Sequence, residues 1–335
     1  MQNKICIISN ESVYFKENKF YCDNLDLKSI PEGLSKKNTI KLYARNSNKI
    51  RSKIISISEI EISKNILSHL LKIFKSVVKD DSKYFIISLS PYTFLSIIIL
   101  KLFRKKTFLY LRSDGFKEYE VIFGIIGKLI YGTMFTISSW LSNLVVCRDH
   151  LLRSKKGVLV NPSQLNEKWF ENLKEPKLDK LQLLYVGRMR KEKGIFSLIE
   201  LLKNTNIRLN IVTSEKEVKN VYTGNIKIIS FENYNDSIIK FYDDSNIFIL
   251  PSFTEAHPQV LDESLVRKRP VLVFNEIDHV KRDRYGVFVS ERSTDSLKKN
   301  LEYIINNYKK IQIDMEKNIL PTKKQFLNKL NEILN

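Results

Sequence analysis

The sequence has few of the residues on which metal-bound and disulfide-bonded folds depend. Its three cysteines, Cys6, Cys22 and Cys147, are far apart and form no C-x-x-C pair, and no two of its four histidines have ligand spacing. Neither a disulfide framework nor a zinc site is therefore predicted, and the cysteines are expected to be buried thiols. The first residues, MQNKICIIS, also lack the basic, apolar and small-residue pattern of a secretory signal, so a cytoplasmic location is expected.

Acidic residues are outnumbered by basic ones, 37 to 56, which gives a formal net charge of +19. Such a charge favours an anionic partner: nucleic acid, an acidic membrane or a phosphorylated substrate. A lysine-rich surface without such a partner is the alternative. No RNA-recognition motif, helix-turn-helix or basic-aromatic interleaving is present, so no nucleic-acid partner is expected. The basic run 267–269 is expected to lie at the negative end of a helix.

At 335 residues the chain exceeds the size of most single cores, and 43% hydrophobic residues exclude a disordered chain. Apolar runs of strand length alternate with segments of helical spacing in both halves. This alternation predicts two doubly wound α/β domains. We expect a first domain over 1–165, with a long loop and a helix between its first strands in 10–37, a second over 166–318, and a C-terminal helix over 319–335.

The segment 118–144 is apolar on nearly every side, and beyond Glu120 its only charged residue is Lys128. A helix of this kind is either buried in a core or lies against lipid or a partner. We expect contact with an anionic membrane surface, core packing being the alternative. Trp140 and Trp169 are expected to be core or domain-boundary residues rather than stacking platforms.

Two short motifs in the second half could bind a diphosphate ligand. Arg188 and Lys193 lie in GRMRKEKG, between a predicted strand and a helix, where cations and helix N–H groups can hold phosphate. A solvated turn is the alternative for this motif alone. About sixty residues later, in 245–274, a strand, loop, helix and strand are predicted, with Glu255 in the loop and Glu263 in the helix. Ligands bind at such strand ends in open parallel sheets.

The ordered pair VGRMRKEKGIFSLIELL and ILPSFTEAHPQVLDESLVRKRPVLVF resembles the donor-binding half of family 4 glycosyltransferases of the bacterial polysaccharide or glycolipid type. These are retaining enzymes of the GT-B architecture. The resemblance implies two Rossmann-like domains facing a central cleft, an acceptor-side domain first and a nucleotide-sugar-binding domain second. It also implies that the C-terminal helix packs back on the first domain.

The resemblance implies roles for individual residues. Arg188 and Lys193 correspond to the basic pair that grips the diphosphate and steadies the leaving phosphate. Glu255 corresponds to the catalytic-site glutamate beside the donor sugar, where it is expected to position the sugar, a role as nucleophile being the alternative. Glu263 corresponds to the glutamate that binds the ribose hydroxyls. The donor is expected to be a UDP- or GDP-sugar, with no metal required. No Asp-x-Asp motif stands at a strand end, and 243–244, two aspartates, are expected to form a cap or turn.

The sequence departs from the family pattern in two places. Ala256-His257-Pro258 replaces the family's glycines, and Pro258 has no N–H to offer a ligand. His257 is expected either to contact the donor or to cap the following helix. Arg112 and Asp114 stand where the family often has a histidine; they either contact acceptor or donor phosphate or belong to a structural turn.

The resemblance implies a retaining, hexosyltransferase-type enzyme that makes lipopolysaccharide or capsule. Its acceptor would be a glycan or a lipid-linked glycan, and the enzyme would lie peripherally on the inner face of the cell membrane. The altered loop after Glu255 leaves open a non-catalytic relative that only binds a nucleotide or glycan. A basic nucleic-acid-binding protein is the less favoured alternative.

Overall fold

The structure, a computed structural model, describes residues 3–79, 82–213, 221–230 and 237–335. They form two compact units. The first comprises Met1–Gln164 and Lys323–Asn335, and the second comprises Leu165–Thr322.

The described strands of the first unit are β1 (Lys4–Lys16), β2 (Lys19–Cys22), β3 (Thr39–Asn46), β4 (Lys53–Ile55), β5 (Glu59–Ser63), β6 (Lys83–Ile87), β7 (Thr107–Leu111), β8 (Asn143–Val146) and β9 (Gly157–Leu159). Its helices are α1 (Leu25–Leu34), α2 (Ile66–Lys79), α3 (Pro91–Leu102), α4 (Gly115–Leu141) and, at the end of the chain, α11 (Lys323–Leu334).

Seven of these strands run parallel, in the order β5-β3-β1-β6-β7-β8-β9. The chain order reverses between β1 and β6, as in doubly wound sheets, and ligands bind beyond the strand ends at such a reversal. The central strands are buried along their length, since helices cover a parallel sheet on both faces. The predicted α/β fold of this half is confirmed.

The segment 10–37 differs from the predicted loop and helix. Strand β1 continues past an irregularity between Ile8 and Ser12 and forms an antiparallel hairpin with β2. Glu17 and Asn18 have positive φ angles of 51° and 56°, the backbone that a two-residue hairpin turn needs. Helix α1 then begins at residue 25, because the Asn24 side chain accepts hydrogen bonds from the first-turn N–H groups.

Helices α2, α3 and α4 pack side by side, and α11 packs beside α1. On α11 the buried side chains are Phe326, Leu330 and Leu334. The Phe326 ring lies 6.2 Å from the ring of Tyr110 in β7, measured between centroids. The C-terminal helix therefore completes the core of the first unit, as predicted.

Helix α4 is a helical hairpin rather than the single helix that 118–144 predicts. Gly124 has φ +68° and ψ −158°, and there the helix breaks. Beyond it the chain doubles back: the rings of Phe116 and Tyr131 lie 5.0 Å apart, whereas fifteen residues of straight helix span about 22 Å. Gly127 permits this packing, because a Cβ there would lie 2.3 Å from the Tyr119 carbonyl oxygen of the other arm.

The described strands of the second unit are β10 (Gln182–Val186), β11 (Arg208–Thr213), β12 (Val221–Thr223), β13 (Ile226–Ser230), β14 (Ile247–Leu250), β15 (Val271–Phe274) and β16 (Val287–Ser290). Its helices are α5 (Glu167–Phe170), α6 (Ile195–Leu202), α7 (Ser237–Asp243), α8 (Gln259–Val266), α9 (Thr294–Asn306) and α10 (Tyr308–Met315).

The strand order is β12-β13-β11-β10-β14-β15-β16, and all neighbours except β12 and β13 are parallel. Apart from the edge strand β12, this is the order 3-2-1-4-5-6 of doubly wound sheets. The chain order reverses between β10 and β14, which makes the ends of these two strands the expected ligand site. This half of the fold prediction is also confirmed.

Two buried arginines tie the first residues of this unit to its sheet. Arg267 donates to the carbonyl oxygens of Trp169, Glu171 and Asn172, and its guanidinium pairs with Asp243 at 2.8 Å. Arg269 donates to the Lys174 carbonyl at 2.8 Å. Both arginines are 1% exposed, so the expectation that they merely end a helix is incomplete. A buried guanidinium is tolerated here because its N–H groups are paired.

Candidate functional site

The sequence-predicted residues of the second unit lie at the reversal of its strand order. Arg188 follows β10, Lys193 ends a short 3₁₀ turn before α6, and Glu255 lies in the loop after β14. Strands β10 and β14 are neighbours, with Leu183 paired to Ile247. Because the strands are parallel, both loops leave the sheet at the same edge.

These two loops are held against each other by close backbone contacts. Gly194 has φ +65°, and a Cβ there would lie 1.8 Å from the Pro251 carbonyl oxygen. Only glycine therefore allows the start of α6 to lie so close to the end of β14. The Phe253 N–H also donates to the Glu192 carbonyl at 3.0 Å. The basic motif and the glutamate loop consequently form one substructure.

Lys193 and Glu255 are in direct contact, with Nζ 2.7 Å from Oε1. The Ser252 hydroxyl donates to the same carboxylate oxygen at 2.7 Å. His279 Nε2 lies 2.8 Å from the Glu255 carbonyl oxygen, and since a carbonyl only accepts, Nε2 carries the proton. The side chains of Lys193 and Glu255 are 24% and 12% exposed. The pair is thus partly buried and still reachable by a ligand.

Arg188 is exposed, and among the described residues its guanidinium has no hydrogen-bond or ion-pair partner. Its backbone is fixed, because the Tyr185 hydroxyl donates to its carbonyl oxygen at 2.9 Å. A fixed backbone with an unpaired guanidinium suits a residue that meets an anionic ligand.

Glu263 lies on α8 and is 1% exposed. The hydroxyl of Tyr242 on α7 donates to Glu263 Oε2 at 2.7 Å. Hydrogen bonding of this kind lowers the cost of burying the carboxylate. A ligand hydroxyl reaches Glu263 only if neighbouring side chains move.

His257 belongs to a charged cluster at the start of α8. Its Nε2 lies 3.4 Å from Asp262 Oδ2, and its Nδ1 lies 3.3 Å from the Arg282 guanidinium. Asp262 also pairs with Arg284 at 2.6 Å. The His257 side chain is 2% exposed. Pro258 takes the N-cap position of α8 without a side-chain cap, and the His257 ring contacts the carboxylate of Asp262 in the first turn of that helix.

Arg112 and Asp114, in the first unit, both have structural partners. Arg112 pairs with Asp26 at 3.0 Å and with Glu11 at 3.2 Å. The Asp114 carboxylate accepts from the first-turn N–H groups of α4 and pairs with Arg153 at 3.2 Å. These contacts correspond to the alternative of a structural turn that ends at a helix start.

Several partners in these sites were not identified from the sequence. Tyr242, Ser252 and Asp262 touch the predicted residues, and Arg284 pairs with Asp262. Within the ranges that the structure describes, no group of three or more His, Cys, Asp and Glu side chains is placed to hold a metal ion.

The sequence model of the family described as "Glycosyl transferases group 1" matches residues 166–319. The chain is similar to the capsular polysaccharide biosynthesis glycosyltransferase CapM of Staphylococcus aureus, 26% identical over 170 residues, which cover 46% of this chain and 44% of CapM. It is also similar to the putative teichuronic acid biosynthesis glycosyltransferase TuaC of Bacillus subtilis strain 168, 28% identical over 120 residues, which cover 35% of this chain and 31% of TuaC. The matches therefore span less than half the length of these relatives.

Among solved structures, the fold is similar to that of WaaG, a glycosyltransferase involved in lipopolysaccharide biosynthesis. The TM-score is 0.68 at 13% identity, over 98% of this chain and 99% of that one. A likeness at this identity shows the fold, which is GT-B. Residues 166–319 thus match the model of the group 1 glycosyl transferases, within a chain that has the predicted GT-B fold.

Proposed function

We propose that this protein is a retaining glycosyltransferase, of the hexosyltransferase type, that uses a UDP- or GDP-sugar. The acceptor is a glycan or lipid-linked glycan, and the product belongs to a cell-surface polysaccharide such as capsule or lipopolysaccharide. The observation that carries the proposal is the 2.7 Å contact between Lys193 Nζ and Glu255 Oε1, which joins the basic motif to the glutamate loop at the reversal of the sheet. The names of the related proteins support the kind of product.

On the phosphate side, Arg188 and Lys193 take the diphosphate, with the free N–H groups at the start of α6 beside them. When the bond between the sugar and the phosphate breaks, negative charge grows on the leaving oxygen. Cations already in position stabilise that charge more in the transition state than in the ground state. Lys193 then exchanges Glu255 for phosphate.

On the sugar side, Glu255 lies beside the donor sugar and positions it, and Glu263 binds the ribose after local movement. The acceptor oxygen forms the new bond to the anomeric carbon on the face that the phosphate leaves. The acceptor's proton passes to the departing phosphate oxygen. Retention then needs no carboxylate nucleophile.

The reaction as proposed requires no metal and no nucleic-acid partner. The enzyme acts in the cytoplasm, peripherally on the inner face of the membrane, where a lipid-linked acceptor is found. The net charge of +19 supports an anionic membrane surface as its location.

The test is a panel of nucleotide-sugars, measured by thermal stabilisation and by hydrolysis, because a ligand that binds the folded state raises the unfolding temperature. Arg188→Ala and Glu263→Ala should each weaken binding of the nucleotide-sugar found in the panel. Arg190→Ala is the matched control, since it removes an exposed cation from the same motif. If both site variants keep wild-type affinity, the assignment is wrong.

A non-catalytic binding relative is the second candidate, because the His257–Asp262 cluster and Pro258 occupy the place of the family's glycines. Turnover of any nucleotide-sugar excludes it. In an active enzyme, Glu255→Ala should lower kcat more than it changes donor affinity. Equal effects on both would reduce Glu255 to a binding group.

A further inference from the structure

The first unit exposes an unusually apolar surface on its neighbouring helices α2, α3 and α4. On α2, Leu67, Leu71, Phe74 and Val78 form a stripe at helical spacing and are 47% to 70% exposed. At the end of α3, Leu102 is 75% exposed. Phe103 joins this helix end to α2, with its ring 5.4 Å from that of Phe74. We call this surface the α2–α4 face.

The hairpin of α4 supplies its most prominent part. Every large apolar side chain from 121 to 126 is at least 63% exposed, and Leu129 follows at 65%. These residues surround the turn at Gly124, so they form the hairpin tip. Soluble monomers rarely leave so many neighbouring large apolar side chains open to water.

The charge around the α2–α4 face points to its occupant. Residues 64–79 contain four lysines and no acidic residue, and 101–106 contain four basic residues and none acidic. On the hairpin, Glu120 is paired with Lys128 at 2.9 Å. The acidic residues at 80–81 lie outside the described ranges. A second copy of the chain would bring another +19 charge against this one, whereas anionic lipid would be attracted.

By length and composition alone, Gly115–Leu141 could cross a membrane. The break at Gly124 divides it into arms of about 13 and 25 Å, and both fall short of the roughly 30 Å hydrocarbon core. The two arms also pack against each other. An apolar hairpin of this shape enters one leaflet and does not span the bilayer.

We propose that the α2–α4 face docks on an anionic lipid bilayer, with the hairpin tip 121–126 inserted into one leaflet. The neighbouring lysines and arginines contact the headgroups. Trp140, 73% exposed and 5.6 Å from Lys155 Nζ, lies where an interfacial tryptophan and lysine are expected. This proposal rests on the proposed function, since it identifies the surface that binds the membrane. Its test uses no sugar donor, so the docking proposal and the glycosyltransferase proposal can be refuted independently.

The test is flotation of the full chain with vesicles of phosphatidylglycerol and phosphatidylcholine. The wild type should bind, and binding should fall with salt and with the phosphatidylglycerol fraction. Neutralising Lys101 and Arg104 to Gln should lower the partition coefficient about 30-fold, because each basic residue near an anionic surface is worth about 1 kcal/mol. No binding by the wild type would overturn the proposal.

Charge placed on the hairpin tip tests insertion. Ile122→Asp and Ile126→Asp should each weaken vesicle binding about tenfold or more. Ile319→Asp is the control, since Ile319 is 98% exposed and belongs to the second unit. All three sites are exposed, so unchanged thermal unfolding is expected and is measured alongside. Equal loss in the control and the tip variants would contradict insertion.

Trp140 gives an independent signal, because the other tryptophan, Trp169, is buried. Anionic vesicles should shift the emission to the blue, and Trp140→Phe should abolish the shift. The contrary outcome is that the wild type does not bind vesicles but forms a concentration-dependent dimer in sedimentation velocity, and that Ile126→Asp dissociates this dimer. That result would show that a second copy of the chain covers the α2–α4 face.

Discussion

The contact between Lys193 and Glu255 predicts that removing the charge of Glu255 strengthens nucleotide binding, although Glu255 is itself a proposed site residue. In the structure these two proposed ligand-binding groups are bonded to each other. A diphosphate must take Lys193 away from a carboxylate that also repels phosphate. Glu255→Gln keeps the size of the side chain and an acceptor for Ser252, but removes the charge. We expect this variant to bind UDP or GDP more tightly while it transfers sugar more slowly.

The size of the gain follows from the environment of the pair. At 2.7 Å and an effective dielectric constant of about 20, a Coulomb energy of about 6 kcal/mol is an upper limit for the pair. Exposed pairs contribute about 0 to 1 kcal/mol when measured. With side chains 24% and 12% exposed, and a hydrogen bond to Gln retained, we expect about 1 kcal/mol. That corresponds to about a fivefold lower Kd.

The assay is isothermal titration with UDP and with GDP, at low and high ionic strength, for the wild type, Glu255→Gln, Lys193→Gln and the double variant. The gain should shrink at high salt and shrink again when Lys193 is replaced, as a double-mutant cycle measures. If Glu255→Gln binds both nucleotides no tighter than the wild type does, the proposal that Lys193 leaves Glu255 to bind phosphate is refuted.

Three further substitutions test the packing. Gly194→Ala should lower the free energy of unfolding in urea by about 2 kcal/mol or more, whereas Gly224→Ala, with a similar φ of +55° but no atom within 4 Å, should lose only the backbone strain of about 1 kcal/mol. Burial, with a smaller effect of a nearby lysine, lowers the pKa of His69 from 6.5 to about 4. As pH falls, the unfolded chain therefore takes up a proton on His69 before the folded chain does. The free energy of unfolding should fall by up to about 3 kcal/mol between about pH 6.5 and pH 4. His69→Phe should remove this loss from the pH profile of unfolding. Arg267→Met should cost about 3 to 5 kcal/mol by urea denaturation, because it leaves buried partners unpaired, and Lys268→Met should cost under about 1 kcal/mol.

Much of the fold was predictable because buried parallel strands appear in sequence as short apolar runs. The positions of Arg188, Lys193 and Glu255 followed for the same reason, since each comes directly after such a run or at the start of the next helix. Strand order brought them together, and strand order cannot be deduced from composition. The strand order was predicted only because the two motifs resemble those of a known family.

Two predictions about chain reversals were wrong, because the sequence pattern did not indicate where the chain turns back. Continuous hydrophobicity over 118–144 predicts a single helix, whereas Gly124 turns the chain back and leaves Trp140 exposed instead of in the core. The hairpin of β1 and β2 was missed because its turn, Glu17-Asn18, contains no glycine, although asparagine tolerates the left-handed backbone.

Partners distant in sequence could not be predicted at all. Tyr242 reaches Glu263, and His279 reaches Glu255, only after the sheet has formed. The cluster of His257 with Asp262 likewise depends on the first turn of α8. Such contacts determine how each site residue is oriented, so residue type alone could not show that Glu263 is buried while Arg188 is exposed.

The contacts of the buried Arg267 and Arg269 determine where a fragment containing the second unit can begin. A fragment that begins at residue 181, with the first strand of the sheet, would lack the carbonyl groups that accept five hydrogen bonds from Arg267, Arg269 and Asn246. Each donor left buried without an acceptor costs about 1 to 3 kcal/mol, and together they would exceed the net stability of many domains. The polar stretch after Gln164 is therefore an integral part of the second unit, and a fragment of that unit should begin at Leu165, its first residue.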